Sequence, residues 1–157
     1  MTTFPEEVAI MNDELRLDRW ARILGLAATS GLRCSAGPAF ATGPVGGAGV
    51  RRLAGLAVTA ELVCDKLPGM RNRTDPPGLV ARAVSGAFVA ATLTRRGRGR
   101  IAAALVGAGV AVAAAFVSIR LRAALTRALG GGARANAAAG LLEDALVIGL
   151  GRRLNHA

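Results

Sequence analysis

Aromatic residues are scarce in this sequence of 157 residues: they make up 3% of it, and tyrosine is absent. A soluble domain of this size usually obtains much of its buried area from Phe, Tyr and Trp. Here the apolar content of 52% comes mainly from Ala, Leu and Val, and 21 glycines stand beside them. Small residues at this density favour helices whose backbones pack closely in lipid.

Histidine occurs once, as His156, and the two cysteines, Cys34 and Cys64, lie far apart in the chain. A histidine-based catalytic triad and a metal site with several histidines are therefore excluded. The cysteines lack the spacing of a zinc site or of a disulfide framework. No glycine-rich loop precedes the single lysine, Lys66, as a P-loop requires. We predict no cofactor and no metal, and nothing in the sequence favours an enzyme.

The formal net charge is +10, carried by nineteen Arg and one Lys against ten acidic residues. Such an excess favours contact with nucleic acid or with anionic lipid headgroups. The basic loop 95–100 has no aromatic residue on which a base could stack. We therefore expect this loop to face headgroups, expect no nucleic acid, and keep a soluble nucleic-acid-binding protein as a remote alternative.

Long uncharged stretches predict helices that cross a bilayer. Residues 101–119 contain no charge, and nineteen apolar residues are enough for one crossing. The stretch from Pro76 to Thr94 would span ~28 Å as a helix. Further helices are predicted to begin at Asp18, to cover 52–67 and to cover 136–151.

Residues 34–50 carry no charge, but glycine and proline interrupt them: Gly37, Pro38, Gly43, Pro44, Gly46, Gly47 and Gly49. We expect a broken or re-entrant segment, which is tolerated at membrane depth only where protein covers it. The predicted fold is all-α: a polytopic membrane bundle of about four to five small-residue-rich helices. Residues 1–18 would form a polar tail or a short surface helix, and 19–153 the single transmembrane domain, in the cytoplasmic membrane of a bacterium.

Small residues recur every four positions within the 101–119 stretch: Ala103, Gly107, Ala111 and Ala115. In the preceding helix, Gly86 shares a row with Arg82 and Ala90. Such rows let a second helix approach closely. We expect these positions to be helix contacts, either within the chain or between copies in a homo-oligomer.

Charged residues interrupt the other apolar segments, and each would cost roughly 2.5–3.5 kcal/mol at mid-bilayer if left alone. We therefore expect the acids to meet the bases inside the bundle. Glu143 and Asp144 are adjacent and point about 100° apart, which makes them a poor pair for concerted acid–base catalysis. The candidate intramembrane polar site comprises Glu61, Asp65, Arg82, Glu143, Asp144, Arg33 and Arg120, and Arg122 is a further base near it.

The run Glu61-Leu-Val-Cys-Asp65-Lys66-Leu-Pro68-Gly69 resembles the signature of a bacterial family of small membrane proteins, the domain of unknown function four-one-two-six. Three more segments are similar to that family: Ser30-Gly31-Leu32-Arg33 with Pro38, Arg73-Thr74 with Pro76-Pro77, Arg82 and Ser85-Gly86-Ala87, and Leu141-Leu142-Glu143-Asp144-Ala145. Together they cover most of residues 25–150 in the expected order. The resemblance implies a multi-helix membrane protein and implies no activity.

Two functions stay open at this point. A small transporter or channel would use the charged residues as a polar path for an unknown ion or small molecule. A non-catalytic scaffold would use the same charges and the small-residue row to hold a homo-oligomer or a partner. In both cases the expected partners include the lipid bilayer and its anionic headgroups.

Overall fold

The computed structural model describes residues 4–42, 47–64, 75–94, 97 and 99–156. Within these residues every regular element is an α-helix, and the predicted all-α bundle is confirmed. The helices are α1 (Phe4–Leu32), α2 (Ala36–Thr42), α3 (Ala48–Cys64), α4 (Pro76–Leu93), α5 (Gly99–Ala128) and α6 (Gly132–His156).

Helix α1 begins at Phe4, and not at Asp18 as the sequence pattern suggested. The segment before Asp18 is polar, but it contains no glycine and its one proline, Pro5, lies in the first turn, where proline is tolerated. Helix propensity therefore extends α1 through most of the polar stretch 1–18, for which the sequence left a tail and a short surface helix open.

The interrupted segment 34–50 is more helical than we expected. After a turn at 33–35 the chain forms α2, which folds back along α1. Pro38 lies in the first turn of α2, where its missing N–H is not needed. Gly37 lies so close to α1 that an added Cβ would be 2.7 Å from the carbonyl oxygen of Leu26. Helix α3 then starts at Ala48, four residues earlier than predicted.

A close helix contact lies between α4 and α5, where Gly86 and Gly107 face each other. A Cβ on either residue would lie 2.4 Å from the carbonyl oxygen of the other. The other members of the α5 row are fully buried: Ala103, Ala111 and Ala115. Gly31 brings α1 against the same row at Ala111. The row is thus covered by α4 and α1 of the same chain and offers no surface to a second copy.

Contacts along the helices give their directions. Ile23 of α1 packs with Ala103, and Gly31 packs with Ala111, so α1 and α5 run parallel. Helix α4 is antiparallel to α5. Helix α6 is antiparallel to α1, and Leu154 near the end of α6 contacts Gly25 of α1. Helix α2 fits between them, with its Phe40 against α6.

Three consecutive glycines separate α5 from α6. Gly130, Gly131 and Gly132 have φ values of 90°, 75° and 82°, a left-handed conformation that glycine adopts without strain. The chain reverses there, and α5 ends at Ala128. Helix α6 is longer at both ends than the predicted 136–151, because Arg and Leu near its C-terminus are good helix formers.

Apolar side chains lie mainly on the outside of this bundle. Helices α4 and α5 are long and apolar enough to cross a membrane, yet only 22% and 28% of their apolar windows are buried. Val80, Val84 and Phe88 of α4 are exposed, as are Ile101, Leu105, Phe116 and Val117 of α5. Charged side chains lie inside: Arg33, Arg82, Glu143 and Asp144 are all buried.

We predict opposite effects for two alanine substitutions in α5. Gly107→Ala places a Cβ against the backbone of α4 and should lower the free energy of unfolding by about 1–3 kcal/mol. Gly109→Ala meets nothing within 4 Å and should be neutral or stabilise the helix by up to about 1 kcal/mol. A denaturant titration followed by circular dichroism measures both. Equal effects would show that the Gly86–Gly107 contact does not hold α4 to α5.

Candidate functional site

Side chains from three helices converge on the turn that follows α1. Arg33 belongs to this turn, Glu61 comes from α3, Arg82 and Ser85 come from α4, and Asp144 comes from α6. We call these five residues the charged cluster. Each of them contacts either the turn backbone or the side chain of Arg33, so the cluster joins the ends of elements that are distant in sequence.

The turn forms because the regular hydrogen bonding of α1 ends at Arg33. The N–H of Arg33 still donates to the carbonyl of Thr29 at 2.8 Å, as in a helix. The next two N–H groups, of Cys34 and Ser35, leave the helix direction, so the carbonyls of Ser30 and Gly31 lose their ordinary partners. Buried backbone groups of this kind need other partners.

Glu61 supplies the partner for the two N–H groups. Its Oε1 accepts from Cys34 N at 2.8 Å, and its Oε2 accepts from Ser35 N at 2.9 Å and also from the Ser35 hydroxyl. A carboxylate that accepts three hydrogen bonds is well satisfied without a basic side chain. Glu61 therefore fixes the C-terminal part of α3 to the turn.

Arg82 supplies the partner for a carbonyl. Its Nε donates to the carbonyl oxygen of Gly31 at 3.0 Å, and its Nη1 donates to that of Gly78 at 3.1 Å. A cation at the C-terminus of α1 also complements the partial negative charge of the helix end. Ser85 adds a hydrogen bond from its hydroxyl to the carbonyl of Cys34. Glu61 and Arg82 thus satisfy opposite sides of one turn.

Arg33 and Asp144 form a buried ion pair. The Nε of Arg33 donates to Oδ1 of Asp144 at 2.9 Å, and its Nη2 donates to the same oxygen. The two residues are 3% and 8% exposed, so water screens the pair very little. This pair connects the end of α1 to the middle of α6.

A second pair lies between α5 and α6. Nη1 of Arg122 is 3.5 Å from Oε2 of Glu143, and Nε of Arg122 donates to the side-chain oxygen of Asn136 at 3.1 Å. Glu143 and Asp144 thus take different basic partners, as their divergent directions on a helix require. An apolar cleft of about 80 Å³ lies beside this pair, between α5 and α6.

The structure brings most of the sequence-predicted site residues together in these two groups. Arg120 is the exception among the described ones, because it lies on an exposed face of α5. Asp65 lies outside the described residues. Sequence reasoning did not assign Ser35, Ser85 or Asn136 to a site. Their only signal is that each is a short polar residue within an apolar stretch.

The charged residues are not arranged as a metal site. Among the residues that the structure describes, no group of three or more His, Cys, Asp or Glu side chains is placed to hold a metal ion. Glu61 accepts hydrogen bonds from the turn, and Asp144 accepts them from Arg33. The acids therefore hold backbone and arginine groups from different helices together.

The chain matches a known protein family. The model of the family described as "Domain of unknown function (DUF4126)" matches residues 21–152, which confirms the resemblance found in the sequence. The matched stretch contains all five residues of the charged cluster and the Arg122–Glu143 pair. No curated protein and no solved structure matches the chain.

We predict that the Arg33–Asp144 pair is strongly non-additive. Either Arg33→Met or Asp144→Leu removes one member of the buried ion pair and should cost about 3–5 kcal/mol of unfolding free energy. The double variant removes both charges and should cost clearly less than the sum of the two. Thermal and denaturant unfolding of the four proteins measures this, and Arg120→Met is the exposed control. Additive losses would mean that the two side chains do not interact.

Proposed function

We propose that this chain, which belongs to the DUF4126 family, is an integral membrane protein whose charged cluster forms the polar path of a small transporter or channel. The proposal has two parts, the membrane location and the polar path. The single observation that carries it is the reversed polarity of the bundle, with charges inside and large apolar side chains outside.

Low burial of the apolar helices supports the membrane location. The core helix of a soluble protein is mostly buried, whereas most residues in the apolar stretches of α4 and α5 face outward. A monomeric soluble protein rarely exposes apolar patches of more than a few hundred Å². An exposed apolar surface of this kind is stable in contact with lipid. This favours a membrane protein over a soluble nucleic-acid-binding one.

Exposed arginines mark the two edges of the apolar surface. On α5, Arg100 and Arg120 are exposed, and the twenty-residue rise between them is ~30 Å. This length matches a hydrocarbon core of about 30 Å. The arginines would then contact anionic headgroups, and a helical bundle fits the cytoplasmic membrane of a bacterium.

The charged cluster lies near the middle of that apolar band. Gly31, whose carbonyl accepts from Arg82, packs against Ala111, which is about halfway between Arg100 and Arg120. Ionisable residues at this depth are costly and commonly belong to ion or substrate pathways. Non-helical backbone at the same depth, as in the turn at 33–35, is a feature of transporter binding sites. Glu61 and Asp144 are the cluster groups able to exchange a proton.

A non-catalytic scaffold is the second candidate. It is favoured by the completeness of the contacts, because Glu61 accepts from three donors and one oxygen of Asp144 accepts two hydrogen bonds from Arg33. Such contacts are also what a purely structural cluster needs. Burial of the α5 row within the chain removes the homo-oligomer contact that we expected there, so a scaffold would have to use another surface.

Membrane fractionation tests the location. We expect a tagged protein to stay in the membrane pellet through washes with high salt and with alkaline carbonate, and to dissolve only in detergent. The reason is that hydrocarbon contact by α4, α5 and α6 does not depend on charge. Release by salt would show that the arginines alone hold a soluble protein to lipid or nucleic acid.

Proteoliposomes test the polar path, with protons as the probe. We expect the reconstituted protein to conduct protons down an imposed membrane potential, detected by a pH-sensitive dye inside the vesicles. Asp144→Asn should reduce the initial rate at least about tenfold, as expected when a proton-transfer group is removed. Thr59→Ala on α3, an exposed residue that bonds only within its helix, is the control. Normal flux in folded Asp144→Asn, or no flux in the native protein, favours the scaffold.

A further inference from the structure

The apolar cleft between α5 and α6 is separate from the charged cluster. It has a volume of about 80 Å³, several times the room that one water molecule needs. Leu32, Leu121, Leu125, Leu142 and Leu146 line it together with Ser118 and Ala139. Leu121, Leu142 and Leu146 are also about half exposed on the outer surface. The cleft therefore opens sideways, toward the side on which lipid would lie.

Arg122 stands at one wall of this cleft, close to the edge of the apolar band. It is two residues beyond Arg120, which marks that edge on α5. Gly140 leaves room for the guanidinium, since a Cβ there would lie 2.9 Å from Nη2 of Arg122. Asn136 and Glu143 then hold the guanidinium against α6. The cleft thus combines a hydrocarbon wall with a positioned cation.

The accessible charge at the cleft is positive. The side chain of Arg122 is 24% exposed, while that of its partner Glu143 is 6% exposed. Glu143 therefore lies behind Arg122 and orients it. Three exposed arginines lie at the same end of the bundle: Arg120, Arg127 and Arg134. An anionic group is thus favoured at the mouth, and an apolar chain is favoured in the cleft.

We propose that this cleft binds one anionic phospholipid from the surrounding bilayer. A segment of one acyl chain would occupy the space between Leu121 and Leu146, and the phosphate would accept hydrogen bonds from Arg122. Arginine suits this role because its planar guanidinium can donate two parallel hydrogen bonds to phosphate oxygens. The inference rests on the membrane location proposed above, and it adds a specific lipid site on the outer surface of α5 and α6.

Native mass spectrometry of the detergent-purified, delipidated protein tests this site. The probes are dioleoyl phosphatidylglycerol, which is anionic, and dioleoyl phosphatidylcholine, which is zwitterionic and has the same chains. We expect one phosphatidylglycerol to bind about five- to tenfold more tightly than phosphatidylcholine, a difference that one charge-assisted contact can provide. Equal binding of the two lipids would overturn the proposal.

Matched variants separate the site from general attraction by basic residues. The double variant Arg122→Gln/Glu143→Gln removes the cation without leaving a lone buried acid, and it should lower phosphatidylglycerol binding to the phosphatidylcholine level. Arg122→Lys should keep part of the preference, and Arg120→Gln, two residues away and outside the cleft, should change it less than about twofold. An equal loss in Arg120→Gln would show diffuse electrostatic attraction and overturn the site.

A cleft-filling variant covers the case in which the double variant does not fold. Ala139→Leu places a larger side chain in the cleft and should reduce phosphatidylglycerol binding while all charges remain. Undiminished binding in folded Ala139→Leu would overturn the assignment of the chain to the cleft. Failure of the membrane location is distinguishable, because the protein would then be monodisperse without detergent. A detergent-dependent protein without lipid preference would refute the lipid site alone.

Discussion

The fold depends on how the backbone is satisfied where α1 ends. A helix that ends inside an apolar band leaves carbonyl and amide groups that water cannot reach. Here Arg82 donates a hydrogen bond to a carbonyl oxygen at the end of α1. Glu61 accepts hydrogen bonds from two backbone N–H groups of the turn that follows. Because these residues come from α4 and α3, satisfying the turn also fixes the positions of both helices. The charges are thus a requirement of the backbone path, whatever else they do.

Helix packing in this bundle differs from that of a soluble protein in which residue types lie at the contacts and which face outward. Glycine and alanine occupy the helix contacts, as at Gly86 and Gly107, where backbones touch. Many leucine, valine and phenylalanine side chains face outward, whereas Arg33, Arg82, Glu143 and Asp144 lie in the interior. Close backbone contacts and buried charges supplement a small apolar core around Ile23, Leu26 and Val89. The low aromatic content is consistent with this, since closely packed helices leave little interior space for bulky side chains.

Periodicity and charge-free length predicted the fold class and four of the helices with useful bounds. The four-residue spacing also selected Gly107 and its row, whose burial follows from the close approach of α4. Polarity misled us at the N-terminus of α1, where helix propensity prevails, and glycine content misled us at α2, where tertiary contacts stabilise a short helix. The partner of each charge was not predictable, because the sequence holds no information on which helix faces which. Thus Glu61 binds backbone, and Arg120 faces outward although Arg122 faces inward.

The pairing of Arg33 with Asp144 has a consequence for the making of the protein. The two residues are 111 positions apart, so at about 5–20 residues per second a ribosome needs roughly 6–22 seconds to reach the second after the first. During that interval Arg33 has no Asp144 to neutralise it. An early helix with an uncompensated arginine at its end is poorly suited to lipid. In a membrane, α1 would therefore reach its final depth only after α6 has been synthesised. The first helix to be made would then be the last to take its final position.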